Sequence, residues 1–437
     1  MLSYREGQLF LEDLGLRDLA ARVPTPFFLI SEARLRDNYR ALERGLAAAG
    51  VESRLRYCAK TNNEAAVLGI LAGLGSELLA SHLAEVELGR ACGFPGPRIA
   101  FQRPVLRREE VAAVLERGVG LMHASRLSDL DLLEEAGAAR REPVRVSLRL
   151  RLRRRPLSPL ARLAGRIGLD RAEAEAAALR CRRSPWLQLA GLNFYAGTQQ
   201  ASLAAFGREL PAVARLAGRL AALGAPVEEI NLGGGLPSPS LRRLTAGRLW
   251  RRYRDRERPS DSPQLLEQSA RRLAQTYRNA GAAAGLDPPP ALALEPGRAL
   301  VGNAAVLVTR VAARDGRWLV LDASRNFLGE SPVLFTRRLL ALDEPDGRRR
   351  FAHLAGSTLD TLDVIDWHRR LPPLESGDGL VVADAGAYTI SRARRYAGLA
   401  PAVYLLTAAG ELHRARRAES LADLAAAMTL PGPAGPG

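Results

Sequence analysis

The sequence predicts an α/β protein, a (β/α)8 barrel followed by a C-terminal, mostly antiparallel β domain. Three observations carry this expectation. Eight short apolar, β-rich runs alternate with Ala/Leu/Arg/Glu stretches long enough for helices, the pattern of parallel strands joined by crossover helices. Eight such units in about 250 residues match the usual span of a closed parallel barrel. After Ala299 the helical spacers end, and β-branched runs broken by Gly and Asp turns take over. A doubly wound open sheet is the alternative for the first region, and the count of eight favours the barrel.

In chain order the eight runs are SRLRYCAK (53–60), SELLAS (76–81), RIAFQ (98–102), GLMHAS (120–125), VRVSLRL (144–150), LAGLNFYAG (189–197), EEINLGGG (228–235) and ALALEPG (291–297). Segments such as EEVAAVLERG (109–118) and LPAVARLAGRLAALG (210–224) supply the helices between them. The barrel is expected over 26–298. The β domain is expected over 299–430, with VGNAAVLVTRVAARDGRWLVLDAS (301–324), GDGLVVADAGAYTI (377–390) and PAVYLLTAAGELHRA (401–415) as its strands. The polar stretch 237–263 reads as a long insertion in a barrel loop, and 431–437 as a disordered tail.

Composition narrows the class. At 47% hydrophobic, the 437 residues can bury a sizeable core. No apolar run approaches the ~18 residues that span a bilayer, and the first residues lack the basic-then-apolar order of a secretory leader. Cys58, Cys92 and Cys181 are too few and too scattered for a disulfide frame or a metal site. A cytoplasmic protein that binds no membrane is expected. The formal net charge is +16, which raises nucleic-acid binding. The arginines are spread along the whole chain and aromatics are only 5%, so a solvated basic surface is the better reading and no nucleic-acid partner is expected.

Lys60 is the single lysine among 63 basic side chains. Arginine serves wherever only a positive charge is needed. Lysine alone can shed its proton when desolvated and attack a carbonyl carbon, which points to a Schiff base at Lys60 rather than a chance remnant. Lys60 ends the first strand, and catalytic groups in barrels lie at the C-terminal ends of strands. NLGGG (231–235) ends the seventh strand, where successive glycines let backbone N–H groups converge on an anion; a plain tight turn is the other reading. Glu295 ends the eighth, followed by Pro-Gly-Arg298. A carboxylate there can keep a pyridine nitrogen protonated, or it can simply pair with Arg298. Amine, anion cradle and carboxylate on three strand ends together describe a pyridoxal 5'-phosphate site.

These motifs resemble the fold-type III pyridoxal phosphate enzymes: the diaminopimelate, ornithine, lysine and arginine decarboxylases, with alanine racemase more distant. YCAKTN resembles the family's YAVKAN, GLNFYAGTQ (191–199) its GLHFHIGSQ, NLGGGLP its DLGGGF and EPGRALV its EPGRYLV. GDGLVVADAGAYTISRA (377–393) is similar to its GD-DAGAYT motif. The resemblance runs from about Thr25 to Leu405. It implies Lys60 as the Schiff-base lysine, Gly234, Gly235, Gly297, Arg298 and Tyr388 as phosphate holders, and Glu295 facing the pyridine nitrogen. It also implies a homodimer with shared active sites, and residues 1–25 joining the β domain.

Three departures stand out. Tyr195 takes the place of the histidine that stacks on the cofactor ring. The aspartate near the second strand has no clear counterpart, Leu78 falling nearest with Glu77 beside it. In GSTLDTLD (356–363), Leu359 replaces the cysteine that supplies a proton to the substrate from across the dimer, while Asp360 and Asp363 remain as substrate-binding candidates and Asp360 as a catalytic one. The expected activity is decarboxylation of an amino acid with a basic or amino-bearing side chain. The alternatives are a related enzyme of altered outcome, such as racemisation or decarboxylation with deamination, and a non-catalytic homologue that binds the cofactor.

Overall fold

A computed structural model describes residues 2–151, 167–200, 203–238, 242–243, 263–329, 335–343, 349–393, 395–426 and 428. The tail 431–437 and most of the insertion 237–263 lie outside the described residues. The chain divides into two compact units. One comprises Met1–Arg34, Ser240–Pro259 and Asn303–Gly437, the other Leu35–Pro239 and Ser260–Gly302.

The second unit is a closed barrel. Its strands are β1 (Ser53–Cys58), β2 (Glu77–Ala80), β3 (Ile99–Phe101), β4 (Leu121–Ala124), β5 (Val144–Arg149), β6 (Leu187–Asn193), β7 (Glu229–Asn231) and β8 (Ala291–Leu294). All neighbours are parallel, and β8 pairs with β1 (Leu292 opposite Ser53) to close the ring. Each expected run supplies one strand. The helices between them form because their apolar residues recur at three- and four-residue spacing. In Ala204–Ala222, Phe206, Leu210, Val213, Ala217 and Leu220 are all buried. Arg171–Arg183 starts at a reciprocal cap: the Glu173 amide donates to Asp170 Oδ1 (3.0 Å) and the Asp170 amide to Glu173 Oε2 (2.8 Å).

The barrel interior is unusually polar. Arg56 on β1 stands opposite Glu77 on β2. Its Nε lies 2.6 Å from Glu77, and both terminal nitrogens donate to Glu229 on β7 at 2.6 Å. The Arg56 and Glu229 side chains are 4% and 2% exposed. Two residues further along β1, Cys58 begins a small apolar layer with Leu79, Ala100, Leu121 and Ala190. Towards the C-terminal strand ends the filling becomes polar again, with His123, Ser147, Asn193 and Asn231 all buried.

The other unit centres on a sheet of nine strands. Its long strand Ala305–Asp315 pairs antiparallel with Trp318–Leu321, Gly379–Val382 and Phe27–Ser31. Phe27–Ser31, which a boundary at residue 26 assigns to the barrel, also pairs in parallel with Ala402–Leu406. Its five residues FFLIS are buried throughout, as a central strand covered on both faces requires. Leu9, Leu11, Leu16 and Leu19 share one core with Phe27, Val306, Val308 and Val381. Among the described residues, no helix is long and apolar enough to cross a membrane.

The buried Arg56–Glu229 pair yields a stability prediction. Removing one partner of a buried ion pair typically costs about 3–5 kcal/mol because the other charge is stranded. Arg56→Met is expected to lose roughly that much in chemical denaturation, whereas Arg171→Met, at an exposed i,i+4 pair with Glu175, should lose under about 1 kcal/mol.

Candidate active site

The C-terminal end of the barrel gathers the expected residues of this unit. Lys60 is exposed, in the 3-10 turn Ala59–Thr61 that follows β1. The turn is braced from below: the Tyr57 hydroxyl donates to the Asn62 carbonyl at 2.8 Å, and the Glu64 amide to Asn62 Oδ1 at 3.1 Å. The segment after β8 runs alongside. The Cys58 amide donates to the Pro296 carbonyl (3.4 Å), and a side chain at Gly297 would collide with Thr61 Oγ1. The Gly297 backbone thus packs directly on the Thr61 side chain, which together with the Cys58–Pro296 bond joins the Lys60 turn to the Glu295–Arg298 segment. Arg298 is buried and opens the short helix Arg298–Val301.

The glycine loop after β7 is equally constrained. Gly235 has φ +107°, and a Cβ there would strike the Gly197 carbonyl; a Cβ on Gly234 would lie 2.8 Å from the Glu295 carbonyl oxygen. Gly235 also approaches the Tyr195 ring. Gln199 fastens the loop from both sides, donating to the Ser238 carbonyl (2.9 Å) and accepting from the Ser238 amide (3.2 Å).

Glu295 is held inside the barrel mouth. Its Oε1 accepts from Asn231 Nδ2 (2.8 Å) and Asn193 Nδ2 (3.3 Å), while Asn231 Oδ1 accepts the Gly233 amide (2.8 Å). Burial pushes the Glu295 carboxyl above its ordinary value of 4.5; Arg149, Asn231, Arg56 and Lys60 pull it back down. Arg149 donates to Asn193 Oδ1 at 2.5 Å, and its guanidinium lies 5.9 Å from the centre of the half-exposed Tyr195 ring. Glu85 joins the Lys60 side, its Oε2 accepting the Ser81 amide at 2.6 Å. Burial raises its pKa, and the Ser81 amide and Lys60 oppose that rise.

The remaining expected residues belong to the other unit. Tyr388 is half-buried at φ +56°. Asp363, expected to bind substrate, is an organiser of its own loop. Its Oδ1 accepts from Ser324 Oγ (3.2 Å) and the Arg325 amide (2.8 Å), and its Oδ2 from the Thr358 amide (3.1 Å) and hydroxyl (2.6 Å). Four donors on one 4% exposed carboxylate leave it a structural part of the 356–363 turn. Asp360 accepts the Leu362 amide (2.8 Å), and Leu359 is fully exposed at 103%. Glu77 is engaged by Arg56 and Leu78 is buried in β2, so neither stands in for the missing aspartate. Sequence reasoning passed over Asn193, Asn231, Arg149, Arg56, Glu85 and His123. An amide ending each of two apolar strands was the available signal for the asparagines.

An accessible lysine, a glycine loop closed to side chains and a buried carboxylate at successive strand ends define a barrel enzyme built for a phosphorylated, aldehyde-bearing heterocycle. Pyridoxal phosphate needs that donor set, and the residues present fit it. The chain belongs to the pyridoxal-dependent decarboxylases, whose pyridoxal binding domain matches residues 32–302. It is 28% identical to the diaminopimelate decarboxylase of Pseudomonas aeruginosa, over 98% of both chains. It is 26% identical to the lysine/ornithine decarboxylase of Selenomonas ruminantium, over 90% of this chain and 93% of that one. In structure it resembles the diaminopimelate decarboxylase of M. jannaschii in complex with L-lysine, with a TM-score of 0.85 at 24% identity over 99% and 98% of the two chains.

The state of Glu295 is testable without cofactor. A carboxyl whose folded pKa is raised contributes most to stability while protonated. That contribution is complete below its unfolded value, 4.5, and shrinks as pH rises toward the folded pKa. Glu295→Gln is neutral at every pH. Its stability relative to wild type should therefore grow from pH 4.5 towards neutrality, read from apoprotein melting across a pH series. A difference that shrinks instead would mean that the surrounding donors outweigh burial.

Proposed function

We propose that the substrate of this pyridoxal phosphate-dependent decarboxylase is an amino acid carrying a second amino group, and that Lys60 is the residue to which the cofactor attaches. The observation that carries the site reading is the accessible Lys60 turn, joined to the Glu295–Arg298 segment by the Cys58–Pro296 hydrogen bond and by Gly297 packed on the Thr61 side chain. When bound, the cofactor supplies an electron sink for the electron pair left as carbon dioxide departs. The protein's own groups do the rest. Lys60 offers an amine that arginine could not, since a guanidinium stays protonated and is a poor nucleophile. Glu295, in its ionised form, would favour a protonated ring nitrogen on the bound cofactor. Backbone amides around Gly234, Gly235 and Gly297 offer donors to the phosphate with no Cβ in the way, joined by Arg298. Tyr195 offers an aromatic face with Arg149 behind it.

The substrate class is supported by the names of the relatives, decarboxylases of diaminopimelate, lysine and ornithine, and by Asp360, an acid suited to a distal ammonium. We further read Asp360 as acting in the site of a second copy, so that the protein works as a homodimer. Leu359 beside it can neither donate nor accept a proton. A positioned acid is worth ~10²–10⁴-fold in such steps, so proton delivery to the substrate Cα falls to another group.

Borohydride treatment of purified protein should fix the cofactor to the peptide containing Lys60. Lys60→Arg should be as inactive as Lys60→Ala, and adduct persisting in either variant would refute the assignment, because the chain has no other lysine. Product analysis on an amino-acid panel then separates amine from aldehyde or epimer. The shared-site reading makes its own prediction. Lys60→Ala and Asp360→Ala, each inactive alone, should regain activity when mixed and allowed to exchange subunits. A fully active monomer by light scattering would contradict it.

A further inference from the structure

His123, on β4, is completely buried inside the barrel. Among the described residues, no protein group hydrogen-bonds to either of its ring nitrogens. Its Nε2 lies 3.9 Å from Glu295 Oε1, the oxygen that already accepts the Asn231 and Asn193 amides. Its register partner on β5 is Ser147, also fully buried, whose hydroxyl has no protein partner either. The Arg56 layer of the barrel is, by contrast, paired: Arg56 meets both Glu77 and Glu229. A buried imidazole facing a buried carboxylate, with a buried hydroxyl on the neighbouring strand, is costly to keep unless these groups hydrogen-bond.

We propose that His123 is a positioning residue for Glu295: its neutral imidazole donates Nε2–H to Glu295 Oε1, across a gap closed by one water molecule or a small ring shift, and so holds the carboxylate ionised. The significance of this rests on Glu295 being the partner of the ring nitrogen. The charges facing the imidazole are Arg56 from β1, Arg149 from β5 and Glu295 beyond β8, while β6 and β7 present the neutral amides of Asn193 and Asn231. Burial, with Arg56 and Arg149, holds the imidazole pKa well below its ordinary 6.5. Histidine is thus neutral with a single N–H, and the adjacent anion selects the tautomer that carries it on Nε2. Nδ1 is left an acceptor, and the Ser147 hydroxyl on the neighbouring strand is a donor of the matching kind. Burial alone favours the protonated carboxyl at Glu295; a third donor on Oε1 counters it, since hydrogen bonds to the charged form lower a pKa.

The test uses full-length apoprotein. Histidine-labelled wild type reports the tautomer of His123 by long-range ¹H–¹⁵N correlation, and carboxyl-labelled glutamate reports the Glu295 titration, assigned with Glu295→Gln. His123 should appear as the Nε2–H tautomer and stay untitrated from about pH 5 to about pH 9. His123→Phe keeps a ring and loses both nitrogens; it should raise the Glu295 midpoint by about one pH unit, a tenfold gain in proton affinity. His123→Gln keeps an N–H and should recover at least half of that shift, a rescue that a purely space-filling role would not give. An Nδ1–H or doubly protonated ring in wild type, or a Glu295 midpoint in His123→Phe coinciding with wild type, overturns the proposal. Should His123→Phe fail to fold, the wild-type tautomer decides. None of these readings involves turnover, so their failure is separate from that of the decarboxylase assignment, which product analysis decides.

Discussion

The site depends on keeping one carboxylate, Glu295, inside a barrel where burial works against its charge. Its surroundings follow from that constraint. Asn193 and Asn231 end β6 and β7 with amides turned onto Oε1, and Arg149 holds the Asn193 amide in that orientation from the other side. Asn231 in turn anchors the first glycine of the loop through the Gly233 amide. The carboxylate and the anion cradle are therefore parts of one hydrogen-bonded assembly, and a change in either reaches the other.

Below this assembly and the small apolar layer under it, the barrel is tied by charge. Arg56 links β1, β2 and β7 through Glu77 and Glu229. A buried pair of this kind adds little net stability against a well-packed apolar core, but its geometry is exacting, because either partner alone is strongly penalised. It fixes the relative heights of three strands, and with them the positions of Lys60 at the end of β1 and of the loop after β7. Arginine suits such a junction because its planar fork meets two carboxylates at once. The single lysine stands instead in the exposed turn that follows β1.

The loop 356–363 shows how alike residues can divide labour. Asp363 spends one oxygen on its own turn and the other tying that turn to Ser324 and Arg325. That turn presents Asp360 and the wholly exposed Leu359.

Much of this was legible in the sequence. The eight strand runs, the place of Lys60 at the end of the first and the glycine loop after β7 are local properties, written in alternation, composition and backbone freedom. Glu295 was legible as an acid at a strand end, but not its proton affinity, which depends on groups more than sixty residues away in the chain. Asp360 and Asp363 look equivalent in sequence, and only the count of donors converging on Asp363 separates them. Phe27–Ser31 falls within the span expected for the barrel, yet its partners lie almost three hundred residues or more further on, and pairing over such separations leaves no local trace. His123 reads as one residue of an apolar run. Its place beside Glu295 was decided by the closure of the barrel, which brings β4 across from β8.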